Sequence, residues 1–320
     1  MLIENLIYVL SILVISVIID MIFGEVPDKI HPVIFMGNMI NKLKELLPPT
    51  KFSGLLIALT TIFTFCVITF MILMFSALIN TILFIVIASI ILSTTFSINY
   101  LIKTVRGIQK DLNEDIDKAR QSMSYLVSRN TSELTEERIT SAAIETLTEN
   151  ITDSVVSPLF YSSVFGLFPY GVISSIIVAV AYRVSNTMDA MLGYKNKELI
   201  NLGYVPANLD DILNYIPARI TGLYVVLASI LLKYDYKQSY DVMKKFATKT
   251  PSPNSGYSMS AAAGALNITL VKEGVYELGY GDDKLSSDKI DQAVSLTKVT
   301  SLLFILTIVL VYLILIFLLL

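Results

Sequence analysis

Three acids at every fourth residue mark the first place where this chain could do chemistry. Glu145, Glu149 and Asp153 stand in "AIETLTENITDSVVSPLF", residues 143–160, just before the chain turns apolar. On a helix of ~3.6 residues per turn, four residues advance ~400°, so the three carboxylates share an arc of about 80°. Like charges at that spacing cost a helix roughly 0.2–0.5 kcal/mol per pair. Carboxylates beside a membrane are costly unless paired, hydrogen-bonded or bound to a cation. The stripe therefore reads as a wall of a polar site at the membrane edge, facing Arg183 and Arg219 or a metal.

Two further stretches carry ligand-like spacing. In "AYRVSNTMDAMLGYKN", 181–196, Asn186 and Asp189 share a helical face, with Arg183 three residues back. In "LDDILNYIPARI", 209–220, Asp210 and Asn214 align at i,i+4 with Asp211 beside them, and Pro217 limits the helix before Arg219. Oxygen ligands of this kind suit Mg²⁺, which typically takes one or two carboxylates plus substrate phosphate oxygens. Forked arginine donors suit phosphate. Structural ion pairing, such as Asp211–Arg219, is the competing reading. In "TKTPSPNSGYSMSAAAGAL", 248–266, a turn precedes a small-residue run. Its amides, with Ser252, Asn254 and Ser255, could hold an anion, and a plain loop–helix junction fits equally well. His31, in "DMIFGEVPDKIHPVIFMG", 20–37, is either an interfacial histidine at a membrane exit or part of a loop folded against a polar site.

The elements that must position these residues belong to a membrane protein. The 320 residues are 54% hydrophobic and only 16% charged, against about 25% charged in soluble domains. A net charge of −3 gives no basic excess for nucleic acid. The single cysteine, Cys66, excludes an intrachain disulfide, and the single histidine excludes a His-cluster metal site. Neither a Walker phosphate loop nor a Rossmann fingerprint is present. Lys and Arg are absent from 1–28, 52–102, 139–182 and 299–320. Residues 52–102 carry no charged side chain at all. As one helix they would reach ~76 Å, more than twice the ~30 Å bilayer core, so two spans joined near Ser76–Asn80 are expected.

The expected fold is all-α: a polytopic helical membrane protein of about four to six membrane segments, read as a single integral domain over 1–320. The first span covers about 5–23, reads as a retained anchor, and the last covers about 299–320. Polar segments lie at 24–51, 103–153, 183–215 and 233–298. The positive-inside rule puts 24–51, 103–153 and 233–298 in the cytoplasm. Two readings of the middle stand. In one, 154–182 and 216–232 each cross. In the other, 154–182 is a re-entrant hairpin and 216–232 a partly buried or interfacial helix, which keeps 183–215 inside; broken helices at depth tend to line sites. Ahead of the acidic stripe, Thr131 or Ser132 followed by "ELTEER" reads as a helix start, with Glu133, Glu136 and Glu137 on a solvated face.

At these clusters the sequence resembles the cobinamide-phosphate synthase family of cobalamin (vitamin B12) biosynthesis, an integral membrane family. The matching text is "FGEVPDKIHPVIFMG", "SRNTSEL", "AIETLTENITDSVVSPLFY", "AYRVSNTMDAMLGYKN", "GYVPANLDDILNYIPARIT" and "PSPNSGYSMSAAAGAL", in the family's order over about 20–266. Glu25 stands where the family more often has Asp, and Asn130 where it commonly has Asp, so neither is taken as essential. The resemblance implies ATP-dependent amide formation between the free propionate of adenosylcobyric acid and 1-aminopropan-2-ol phosphate, or the free amino alcohol. It implies Mg²⁺ and ATP, a corrinoid substrate, membrane lipid around the chain, and a cell-membrane location with the site facing the cytoplasm. Other enzymes of the corrinoid pathway are further partners. With that reaction in view, Glu145, Glu149 and Asp153 become catalytic candidates. His31, Arg129, Thr131, Asn150, Arg183, Asn186, Arg219, Ser252 and Asn254 become substrate or phosphate contacts. Asp189, Asp210, Asp211 and Asn214 become the metal set. An Mg-dependent membrane phospho- or prenyl-transferase would show similar Asp-bearing helices, and a corrinoid-binding or transport protein could line a pathway with the same polar groups.

Overall fold

The computed structural model describes residues 2–127, 129–194 and 198–320. Ser128, Lys195 and Asn196, which belong to two of the stretches quoted above, lie outside the described residues, as does residue 197. In chain order the helices are α1 (Leu2–Phe23), α2 (Pro32–Leu46), α3 (Lys51–Ile79), α4 (Thr81–Ser93), α5 (Ile98–Glu114), α6 (Ile116–Ser124) and α7 (Glu136–Ile151). A π-helical turn at Thr152–Val156 leads into α8 (Ser157–Gly166), α9 (Gly171–Leu192), α10 (Tyr204–Leu231), α11 (Tyr236–Phe246) and α12 (Gly256–Ala265). A small hairpin, β1 (Leu270–Lys272) and β2 (Tyr276–Leu278), precedes α13 (Ser287–Leu319). Among the described residues, six stretches are long and apolar enough to cross a membrane: α1, α3, Thr81–Glu114, α9, α10 and α13. The protein is a polytopic all-α membrane protein.

The chain divides into two compact units. The first comprises the residues up to Ser97, Ser157–Leu213 and Leu306–Leu320. Asn80 divides its uncharged run as expected: an extended backbone at φ −170° breaks the helix, and the side chain caps α4 by accepting from Leu83 N at 2.8 Å. α8 has only 10 residues, about 15 Å of helix and half a bilayer core. It doubles back into α9 through a tight turn, where a Cβ on Gly171 would lie 2.1 Å from the Gly166 carbonyl oxygen. Tyr312 anchors the hairpin by donating to the Ser163 carbonyl at 2.7 Å.

The segment 154–182 is thus a hairpin in shape, yet its return arm is longer than the apolar text suggested. α9 runs ten residues past Tyr182 because its charged residues lie on an enclosed helix. Of its most apolar window 61% is buried, against 17% for α3. Likewise 216–232 is not a short helix but the latter part of the 28-residue α10. Pro217 does not end it. Proline lacks the N–H that the Leu213 carbonyl would accept, and the Tyr161 hydroxyl donates to that carbonyl instead, at 2.8 Å.

The second unit comprises Ile98–Val156 and Asn214–Ile305. Leu101, Val105 and Ile108, spaced by a helical turn on α5, pack with Ile139, Ile144 and Leu147 of α7, Met259 of α12, and Ile290 and Val294 of α13. α7 starts later than its sequence suggested. Thr135 is the cap, accepting from Arg138 N at 3.3 Å. Thr131 donates to the Arg120 carbonyl instead, and Asn130 turns back to accept from Ser132 N. Glu133, Glu136 and Glu137 are exposed, as expected. The β-hairpin, paired Val271 with Glu277, is the exception to an all-helical reading, with Gly274 supplying the positive φ of its turn.

Candidate functional site

In the first unit, α9 and the start of α10 bring together Arg183, Asn186, Asp189, Asp210 and Asp211. Asn186 is the link: its Oδ1 accepts from Arg183 Nη1 and its Nδ2 donates to Asp210 Oδ1, each at 3.4 Å. Asp210 is 8% exposed. Asp211 lies close enough to Asp189 for the two charges to repel. Two glycines allow this approach. A Cβ on Gly193 would sit 2.0 Å from Asp189 Oδ1, and one on Gly203 would sit 1.9 Å from the Leu192 carbonyl oxygen. Tyr161 adds rigidity, its ring 5.7 Å from that of Tyr182 beside Arg183 and its hydroxyl on Leu213 of α10. Among the described residues no three His, Cys, Asp or Glu side chains form a ready metal nest. The donor chemistry fits a cation that completes its shell with non-protein oxygens, the habit of Mg²⁺ on phosphates.

The second unit holds the acidic stripe, and there the three acids part company. Glu145 is buried at 3% exposure. It accepts from Arg129 Nη2 at 3.0 Å and Tyr276 Oη at 2.9 Å on one oxygen, and from Ser141 Oγ at 2.7 Å on the other. Ser141 Oγ also accepts from Val271 N, and Arg129 reaches the Val271 carbonyl, so this carboxylate ties the 129 loop and the β-hairpin to α7. Burial, with the charges of Glu145 and Glu149 behind it, holds the Tyr276 phenol above its ordinary pKa, so it stays a donor. Glu149 and Asn150 are half-buried near the end of α7, and Asp153 lies in the π turn. The i→i+5 winding of that turn ends the four-residue repeat. Glu145 therefore faces Arg129, not the arginines or metal that the stripe's position suggested.

The remaining candidates separate by unit. His31 caps α2, its Nδ1 accepting from Val33 N at 3.2 Å. Asn150 donates to the Thr146 carbonyl one turn back, and Thr131 is occupied at Arg120. Asn214, 1% exposed, begins the second unit's share of α10. In that unit Arg219 donates to Asn254, whose own N–H is directed to Ser252 Oγ. Sequence reasoning missed Ser141 and Tyr276, partners of Glu145, and Tyr215 and Tyr257, which flank Arg219. Tyr276 lies 131 residues from Glu145, so no local pattern could give it. Tyr215 is one helical turn before Arg219, a spacing that could have been read.

The profile described as CobD/Cbib protein matches residues 13–316. A Methanothermobacter thermautotrophicus protein named "Probable cobalamin biosynthesis protein CobD" is 44% identical over 294 residues, 92% of this chain and 95% of its own. Proteins of the same name from Methanothrix thermoacetophila and Methanocaldococcus jannaschii are each 39% identical, over 91% and 84% of this chain and 92% and 88% of theirs. No solved structure matches. Matched along nearly its whole length, the chain belongs to the CobD/Cbib family of cobalamin biosynthesis.

Proposed function

We propose that this protein forms an amide in cobalamin biosynthesis, joining the free propionate of adenosylcobyric acid to 1-aminopropan-2-ol phosphate, or to the free amino alcohol, with ATP. The observation that carries this reading is the α9–α10 cluster: three aspartates, one asparagine and one arginine on two neighbouring helices of a membrane protein, with Asn186 bridging Arg183 and Asp210. A carboxylate is a poor acyl donor. In the proposed sequence its oxygen takes the γ-phosphoryl group of ATP, releasing ADP. The amine nitrogen then attacks the acyl carbon, phosphate leaves with the C–O electron pair, and the nitrogen gives up a proton.

Mg²⁺ would supply charge neutralisation across the phosphate oxygens, held by Asp189, Asp210 and Asp211. Arg183 and Asn186 orient the phosphoryl oxygens through their donors. The proton is assigned to Glu149 over Glu145, because both oxygens of Glu145 are engaged by Arg129, Tyr276 and Ser141 in tying the 129 loop and the β-hairpin to α7. The distribution of Lys and Arg along the sequence supports a site facing the cytoplasm. Labelling of Tyr194→Cys in a Cys66→Ser background tests that orientation, and protection of the thiol from a cytoplasmic reagent would reverse it.

The decisive assay is purified protein in detergent or liposomes with adenosylcobyric acid, aminopropanol phosphate, Mg²⁺ and ATP, read by mass spectrometry. A new amide with stoichiometric ADP is expected. Absence of the amide, with corrinoid binding verified, overturns the reading.

A further inference from the structure

Arg219 sits midway along α10, a helix long and apolar enough to cross a membrane. A charge there is expensive to keep without a use. Its guanidinium carbon lies 3.4 Å from the centre of the Tyr215 ring and 4.4 Å from that of Tyr257. One nitrogen, Nη1, donates to the Tyr215 carbonyl at 2.6 Å and to Asn254 Oδ1 at 3.3 Å. Asn254 is itself 5% exposed, in a loop closed by bonds from Thr250 Oγ1 to the Ser252 carbonyl and from Tyr257 N to the Asn254 carbonyl. The turn is seated against α11, where a Cβ on Gly256 would lie 2.1 Å from the Ala247 carbonyl oxygen.

Two aromatic faces thus fix the plane of the guanidinium, and Asn254 with the Tyr215 carbonyl fixes its rotation. Among the described residues no carboxylate pairs with it. The side that these contacts leave is the Nε–Nη2 edge, which presents two parallel N–H donors. That fork matches an anion with two neighbouring oxygens, where a lysine would offer a point charge. Tyr215 is 53% exposed, so the stack is open on one side. We infer that Arg219, held between Tyr215 and Tyr257, is a preformed oxyanion clamp that binds a substrate phosphoryl or carboxylate group through its Nε–Nη2 edge. The choice of probes rests on the amide-forming reading above; the clamp does not.

The test measures binding without turnover, by calorimetry on purified wild type, Arg219→Lys and Arg219→Gln. Four probes are used: inorganic phosphate, 1-aminopropan-2-ol phosphate, free 1-aminopropan-2-ol, and propionate. At least a tenfold weakening for an oxyanion in Arg219→Lys, with the free amino alcohol unchanged, supports the clamp. Loss confined to phosphate and the phosphorylated amine names a phosphoryl ligand, and loss confined to propionate names a carboxylate. Wild type that binds none of the three oxyanions overturns the clamp. So does binding within twofold of wild type in the variants, even if their melting temperature falls, since that marks a structural stack. If Arg219→Gln does not fold, Arg219→Lys and Tyr257→Leu carry the same comparison. Failure of the ligase assay leaves these results standing, so the two readings fail separately.

Discussion

Glu145 and Asp210 are both carboxylates almost removed from water, at 3% and 8% exposure, but their surroundings differ in charge balance. Around Glu145 one acid meets one arginine, and a phenol and a hydroxyl complete the set at 2.7–3.0 Å. Around Asp210 three aspartates gather with Arg183 and Asn186, and Asp189 and Asp211 are close enough to repel each other. A carboxylate with both oxygens bonded to side chains from the 129 loop, α7 and β2 ties elements together and gains from being left alone. A group of like charges is the kind of place where a cation bridging to phosphate oxygens would lower repulsion. The first arrangement is architecture, and the second is the stronger candidate for chemistry.

The largest effect should come from breaking the Glu145 network. Glu145→Ala strands Arg129 in a buried position, and removing one partner of a buried pair costs about 3–5 kcal/mol. Unfolding followed by heat or denaturant in detergent checks this, and a loss below about 1 kcal/mol would show that the network does not hold the hairpin. The double change with Arg129→Ala should cost much less than the sum, because neither charge is then left alone.

At the other cluster the expectation reverses. Asp210→Asn and Asp211→Asn should each lower amide formation by about 10²–10³-fold, the scale of removing one electrostatic contact to a transition state. Melting temperature should hold or rise, since like-charge repulsion falls. Full activity in both variants would sink the metal assignment.

Between these extremes lies Tyr276→Phe, which keeps the ring and removes one donor from Glu145. Hydrogen bonds to charged groups contribute about 1.5–3 kcal/mol. Arg129 and Ser141 remain in place, so the loss should fall near 1.5 kcal/mol, well short of Glu145→Ala. Equal losses would mean that the phenol, and not the ion pair, carries the network.

How much of this contrast was legible in the sequence depends on distance along the chain. The charge-free run 52–102 gave two helices and their break, because Asn80 is a local signal. The α9–α10 cluster was legible because its members repeat at helical spacing on two neighbouring helices. Membership of Glu145 in a structural network was not. Arg129 and Tyr276 lie 16 and 131 residues away, and only folding of the second unit brings them in. Helix ends were misjudged where the cue was chemical type alone. Arg183 looked like the end of a membrane segment, yet α9 continues to Leu192 because Val184, Met188 and Leu192 keep an apolar face buried beside the half-buried polar one. Pro217 looked like a stop, yet the Tyr161 hydroxyl on the Leu213 carbonyl lets α10 pass through it.

The smallest expected effect tests whether a satisfied network matters once it is wet. Asp283 accepts from Lys289 Nζ at 2.6 Å and Asn267 Nδ2 at 2.9 Å, and these bonds hold its pKa below the usual carboxylate value. A lowered folded-state pKa gives stability that is present above the unfolded value near ~3.9 and is lost as pH falls through the folded one. The melting-temperature gap between wild type and Asp283→Asn should therefore be widest near neutral pH and close on acidification below about 4. The gap should be small throughout, since solvent screens an exposed pair and Lys289 keeps its second bond, to the Leu266 carbonyl at 2.7 Å. A gap as wide as that of Tyr276→Phe would mean that bond count, and not burial, sets the worth of these networks, and the contrast between Glu145 and Asp210 would then have to be explained by geometry alone.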